Sequence, residues 1–269
     1  MSLPDRALFN KVAKVNIGGR LFSYPPFTIE FEQTMSMGSL ESTVAKLYNP
    51  SPDTIKTAES KKQGRTRVYT QITIEAGYED DYGTTVLGEI MAHKVKKHGA
   101  DIILEMNIGD KTGIWANSII MKSYNNQNAS VIIDDMLSTV GITGEISLGS
   151  DKTYKTFIAK TFREAMKNIA KDTESIFYFK NGQLKMESST YNRERQVLYI
   201  SPSTGLIDRI EKNEKGFEFK TLFFHKLSTG DIVQIEDSRT PKATVKLTEG
   251  RKHFSTFGKS ECEFKAVEI

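Results

Sequence analysis

The sequence predicts a mainly β chain with an α+β middle region, and three features carry that reading. Short runs with a period of two crowd the first 125 residues, and two amphipathic helical faces follow within 129–173. Strand-like runs separated by glycine turns then fill residues 190–269. The expected organisation is a first β domain over 1–125, an α+β domain over 126–189 and a second β domain over 190–269. Strands of the last segment could also return to the first domain. The many short strands favour small antiparallel barrels or a sandwich.

Taken in order, Val12, Val15 and Ile17 make a short apolar run that ends at Gly18-Gly19, a hairpin signal with Arg20–Ser23 as the returning strand. Phe27, Ile29 and Phe31 share one face of the next strand. Leu40, Val44 and Leu47 have helical spacing, with Ser39 as cap and Asn49-Pro50 as stop, and predict one short helix. Residues 68–91 read as a hairpin: Val68, Thr70, Ile72 and Ile74 alternate with polar neighbours, Glu79-Asp80-Asp81 form the turn, and 85–91 return. Gly88 marks a bulge or a close backbone approach. Residues 95–100 read as a turn, Asp101–Ile108 as a strand, Gly109–Gly113 as a loop, and Ile114–Met121, with Trp115, as a further apolar segment.

Asn125-Asn126-Gln127-Asn128 punctuates the chain. Ser130 then reads as an N-cap for a helix carrying Ile133, Met136, Leu137 and Val140, closed by Gly141. Phe162, Ala165, Met166, Ile169 and Ala170 line one face of a second helix, read as core. Ser175–Glu187 is a hairpin turning at Asn181-Gly182. The remaining strands are expected at 196–201, 206–211, 217–224, 231–235, 243–247 and 261–267, with turns at Ser203–Gly205, Lys215-Gly216, Thr229-Gly230 and Glu249-Gly250.

Composition narrows the function classes. At 269 residues, 38% hydrophobic and 26% charged, the chain is long and apolar enough for real cores and unlike a disordered one. Its 37 basic and 34 acidic residues leave a net charge of +3, too balanced to announce a nucleic-acid binder. A single cysteine, Cys262, allows no internal disulfide and fits a reducing compartment. The opening MSLPDRALFNK lacks the apolar region of a signal peptide, and no run approaches the ~20 apolar residues of a membrane helix. A soluble protein without a membrane anchor is the expectation.

Reactive constellations are thin. Adjacent carboxylates Glu79, Asp80 and Asp81 diverge on a turn and lack calcium-loop spacing. His93, His98, His225 and His253 are scattered, and His93 and His98 lack the i, i+4 helical spacing of a zinc protease. Cys262 sits between Glu261 and Glu263, which would raise a thiol pKa, the wrong direction for a nucleophile. Serine-hydrolase and phosphate-loop motifs are absent from the sequence. The expectation is no catalytic residue, metal or cofactor.

The stretch FTIEFEQTMSMGSLESTVAKLYNPSPDTI, with the later AGY and GEI, resembles the opening domain of phage tail hub proteins. So does SPSTGLIDRIEKNEKGFEFKTLFFHKLSTGDIVQIE, with its TGL turn, KTL strand and LSTGD turn. The family is the central baseplate hub of Mu-like and T4-like contractile tails and of related prophages and tailocins. The resemblance implies two small tail-tube-like barrels in one chain, three chains closing a pseudo-hexameric ring around an axial channel, and no enzyme activity. It implies a homotrimer that joins the tail tube protein to the central spike protein and meets the tape-measure protein. Genomic DNA would pass without specific binding, because many cationic phosphate contacts would hold it in place. The expected location is the virion tail baseplate, after assembly in the host bacterial cytoplasm.

The run KTAESKKQGRTR at 56–67 carries five basic residues against Glu59. A solvated loop is the ordinary reading of such a run. The resemblance places there a hairpin that contacts the adjacent ring, which makes Lys61, Lys62, Arg65 and Arg67 the candidate subunit or ring–ring interface. Two other readings stand beside the hub: a β-rich carbohydrate-binding or cell-wall-processing tail protein, and a distal tail protein in six copies. The first of these needs exposed aromatics beside paired carboxylates.

Overall fold

The computed structural model describes residues 10–39, 41–63, 66–109, 118–180, 183–189 and 197–269, with the backbone alone at 61–63, 66–67 and 180. It is mainly β with few helices. The chain separates into two compact units. One gathers 1–36, 41–110 and 196–269; the other holds 37–40 and 111–195.

The first unit is built on one large sheet. Its strands are β1 (Lys11–Ile17), β2 (Arg20–Tyr24), β3 (Ile29–Ser36), β4 (Ser42–Tyr48), β7 (Thr70–Tyr78), β8 (Asp81–His98) and β9 (Asp101–Gly109) from the first segment. The last segment adds β15 (Leu198–Ile200), β16 (Glu211–Asn213), β17 (Gly216–Leu222), β18 (Ile232–Ile235), β19 (Ala243–Ser255) and β20 (Glu261–Glu268). Their order is β16-β17-β20-β19-β3-β4-β9-β8-β7-β1-β2, with β18 on β19 and β15 parallel to β18. The two segments meet where β19 pairs with β3, Phe254 opposite Phe31. Phe31, Phe223 and Phe254 close the core behind that seam. Phe31 stacks on Phe254 at 5.6 Å, and Phe223 meets Phe254 edge-on at 4.9 Å.

Several expectations hold and several do not. The Gly18-Gly19 hairpin and the 68–91 hairpin form, the latter as β7 and β8. Gly88 is a close approach: a Cβ there would lie 2.7 Å from the Gly109 carbonyl oxygen, while the register shift falls at Thr85 instead. The helix expected from Leu40, Val44 and Leu47 is instead strand β4. Thr43, Ala45 and Leu47 point into the core, and Val44 stands on the outer face, 37% exposed. The short helix comes later as α1 (Pro52–Thr57), capped by the Ser51 hydroxyl, which accepts from the Thr54 amide. Residues 95–98 do not turn, because β8 runs on to His98. Glu249-Gly250 is likewise interior to β19; the strand absorbs a bulge at Thr248 and continues. Residues 206–210 form no strand; they make one bridge, Leu206 to Thr221, before β16.

The second unit has its own core. A ribbon of β10 (Ile119–Asn128) and β12 (Thr153–Thr161) and a three-stranded sheet of β11 (Gly144–Ser147), β14 (Gln183–Ser188) and β13 (Ser175–Lys180) pack with two helices. Asn125–Asn128 is therefore strand and not punctuation. Helix α2 (Ala129–Val140) starts one residue before Ser130, so Asn128 takes the cap position, without a side-chain cap bond. The cap comes from elsewhere: Asp151 accepts from the Ser130 amide at 3.0 Å and from its hydroxyl at 2.8 Å. Helix α3 (Phe162–Asp172) buries the five apolar residues its spacing predicts and is capped by Thr161. Trp115 and Asn181-Gly182 lie outside the described residues. No described helix is long and apolar enough to cross a membrane.

Candidate functional site

Strand alternation sends one side chain in two away from the core, and on several strands of the first unit's sheet those outward positions are charged. On β19 and β20, Lys252, Phe254, Cys262 and Phe264 turn inward while Arg251, Glu263 and Lys265 turn out. Neighbouring strands carry the opposite sign. Arg251 binds Glu32 of β3 at 2.7 Å and approaches Glu263 at 4.0 Å, and Glu263 also takes Lys220 of β17 at 3.0 Å. Further along, Lys46 of β4 meets Glu30 of β3 at 3.2 Å. On β9, Glu105 receives Lys94 at 2.8 Å and Lys96 at 2.6 Å, both from β8. The hydrogen bond from Lys94, then that from Lys96, holds the Glu105 carboxyl below its usual range. Arg251 does the same for Glu32.

This face therefore presents charge already neutralised by its neighbours. Exposed pairs of this kind contribute little to stability. What they do is hold each of these cations on a carboxylate of a neighbouring strand, which a polyanion would have to displace.

The predicted basic segment begins in α1 and contains one pair of short antiparallel strands. β5 (Lys61–Gln63) pairs with β6 (Thr66–Val68), setting Lys62 opposite Arg67 and Lys61 opposite Val68 along the backbone. Arg65 lies outside the described residues, as do the side chains of Lys61, Lys62 and Arg67.

Other reactive candidates have structural partners. Glu79 accepts from the Asn10 amide at 2.7 Å, and Asp81 holds Lys226 at 2.7 Å with the His225 ring 3.8 Å away. That ring lies on Gly83, where a Cβ would come within 2.8 Å of it. Among the described residues no group of three or more His, Cys, Asp or Glu is arranged to hold a metal. Burial, and not chiefly the flanking carboxylates, pushes the Cys262 thiol up to about 11. Among the described residues of the first unit, the exposed aromatics have neighbours other than carboxylate pairs: Tyr82 lies under Lys14, and Phe257 meets Tyr24 edge-on.

Sequence reasoning missed the charged face, although its signal was present. EFE at 30–32, KVK at 94–96 and ECEFK at 261–265 alternate charge with a second residue type at period two. What could not be read was which strand would supply the counter-charge.

This architecture is that of phage tail proteins. The 43 kDa tail protein of prophage MuSo2 from Shewanella oneidensis superposes with a TM-score of 0.71 at 10% identity, over 96% of this chain and 98% of that one. A tail protein from Neisseria meningitidis MC58 gives 0.72 at 9% identity, over 97% of each chain. The E. coli c3393 protein gives 0.67 at 11% identity, over 95% of this chain and 77% of that one. It is described as a component of the type VI secretion system with structural similarity to T4 bacteriophage tail proteins gp27 and gp5. No protein-family model and no curated protein matches the sequence.

Proposed function

We propose that the chain is a structural subunit of a phage-type tail baseplate hub. Three copies form a pseudo-hexameric ring that joins the tail tube to a central spike around an axial channel. The observation that carries this reading is the antiparallel β3–β19 seam, which sets two strand-rich segments side by side in one sheet. One chain then supplies two tube-like halves, so three chains supply six. The α+β unit is an insertion between those halves.

The charge-paired sheet face suits a channel wall past which DNA moves without specific binding. The basic hairpin with Lys61, Lys62, Arg65 and Arg67 is the contact to the next ring, and the tube, spike and tape-measure proteins are the partners. The hub works by assembly and not by chemistry, in the virion baseplate, after assembly in the host cytoplasm.

Light scattering over a concentration series tests the ring. A species at three times the 30.3 kDa chain is expected. A six-copy species would move the chain to another tail ring, and a monomer at every concentration would remove the support for self-assembly.

A further inference from the structure

Three large apolar side chains stand open towards one end of the second unit's β10–β12 ribbon. Ile119 is 70% exposed, Met121 75% and Ile158 65%. Ile119 lies opposite Thr161 and Ile158 opposite Ser123, and Met121 falls in the bulge between those pairs. Bulges re-aim side chains. Met121 keeps a left-handed backbone, φ 48°, which is costly for a bulky residue, and it does so with its side chain in the open. Single exposed apolar residues are ordinary; three in one place are not.

A row of cations starts beside them. Lys160 follows Ile158 by two residues and so shares its side of β12. The Phe162 amide donates to the Ser118 carbonyl at 3.0 Å, which fixes the first turn of α3 next to Ile119. From there Arg163, Lys167 and Lys171 recur every fourth residue, one line along about 12 Å of helix. All four cations are exposed, and none makes an ion pair or hydrogen bond among the described residues. Glu164 is the only acid between Lys160 and Lys171. On the first unit's sheet the outward cations are instead held by carboxylates of neighbouring strands.

A solvated face accounts for the cations alone, but not for open isoleucines and a methionine next to them. A second copy presenting the same surface would set cation against cation. The surface calls for an anionic partner that also accepts aliphatic side chains without matched hydrogen bonds. A bilayer of anionic phospholipid supplies both, phosphates for the cations and the acyl boundary for the apolar side chains.

We propose that this end of the second unit docks on an anionic phospholipid surface. Ile119, Met121 and Ile158 enter the boundary between headgroups and acyl chains, while Lys160 and the α3 cations lie over the phosphates. Such docking is peripheral and reversible and needs no spanning element. It adds a partner to the hub reading and does not depend on it.

Flotation of the full chain with lipid vesicles tests the docking. Binding to vesicles of mixed phosphatidylglycerol and phosphatidylcholine is expected, with binding to phosphatidylcholine alone at least about tenfold weaker. Lys160→Glu with Lys167→Glu should weaken binding at least about tenfold. Met121→Ser with Ile158→Ser should weaken it about as much at unchanged charge. These four positions are exposed, so helical dichroism should match the wild type and certify the fold. Lys94→Glu with Lys97→Glu, in the first unit, makes the same change in net charge and should leave binding within about twofold. Absence of flotation with phosphatidylglycerol overturns the docking. An equal loss on reversing Lys94 and Lys97 overturns it too, by showing attraction through net charge. Loss with the Lys160 and Lys167 reversal but not with the serine pair would reduce the surface to a polyanion contact and also overturns it. A lower mass by light scattering for the serine pair, without vesicles, would assign the face to a contact between copies instead.

Discussion

The two units reach a buried core by opposite routes. The second takes nearly all its strands and helices from one continuous stretch, 111–195, and its core forms between elements close in sequence. The first must bring residues 29–36 against 243–255 before its sheet is complete. Closing so long a loop costs conformational entropy that only the finished seam offsets. Local folding and long-range assembly thus sit in one chain, and the two can be tested apart.

The sharpest break is at the seam. Phe254→Ala removes a ring fully buried against Phe31 and Phe223 and should cost about 3–5 kcal/mol. The expected result is early loss of the first unit with the α2 and α3 helical dichroism retained. Simultaneous loss of both signals would show that the units do not melt separately.

The converse change, Met166→Ala in α3, should cost about 2–5 kcal/mol and abolish helical dichroism first. Retention of that signal to the main transition would count against an independent second core.

Cys262 gives a smaller and more selective signal. It is buried in the first unit, so a thiol reagent at pH 8 should label it only when that unit opens, several-fold faster in Phe254→Ala than in Met166→Ala. Its folded pKa is raised from 9.0 to about 11, so the associated stability is present below pH 9 and lost as pH rises through 11. Labelling that tracks the helices instead would place the opening elsewhere.

The least effect is expected at Asp237, which accepts the amides of Ile210, Arg239 and Thr240 and ties the start of the β16 edge to the loop after β18. Those amides, Ile210 foremost, pull its pKa from 3.8 down to about 2. Its contribution is present above pH 4 and lost as the pH falls towards 2. Asp237→Ala should flatten that acid limb for the first unit alone; an unchanged limb would mean that other carboxylates govern it.

Much of this was legible because periodicity is a local property. Ile72 and Ile74, or Phe162, Ala165, Met166 and Ile169, announce their faces without knowledge of their neighbours. The failures came where a distant strand decided. Leu40, Val44 and Leu47 fit a helix in isolation, but pairing of β4 with both β3 and β9 makes Thr43, Ala45 and Leu47 the buried set. Gly250 looks like a turn residue until the Phe264 ring is seen 3.0 Å from where its Cβ would be. The charged face, too, was written along each strand, but the pairing of Arg251 with Glu32 is 219 residues long.

Strand β8 has a mechanical consequence. Its eighteen residues, at about 3.4 Å each, make a rod of roughly 60 Å, bonded to β7 over one half and to β9 over the other. Tension applied at the His98 end travels along covalent backbone into the opposite hairpin. It loads many hydrogen bonds together in shear and does not unzip them one by one. Such a strand is a tie-bar between the two hairpins it belongs to.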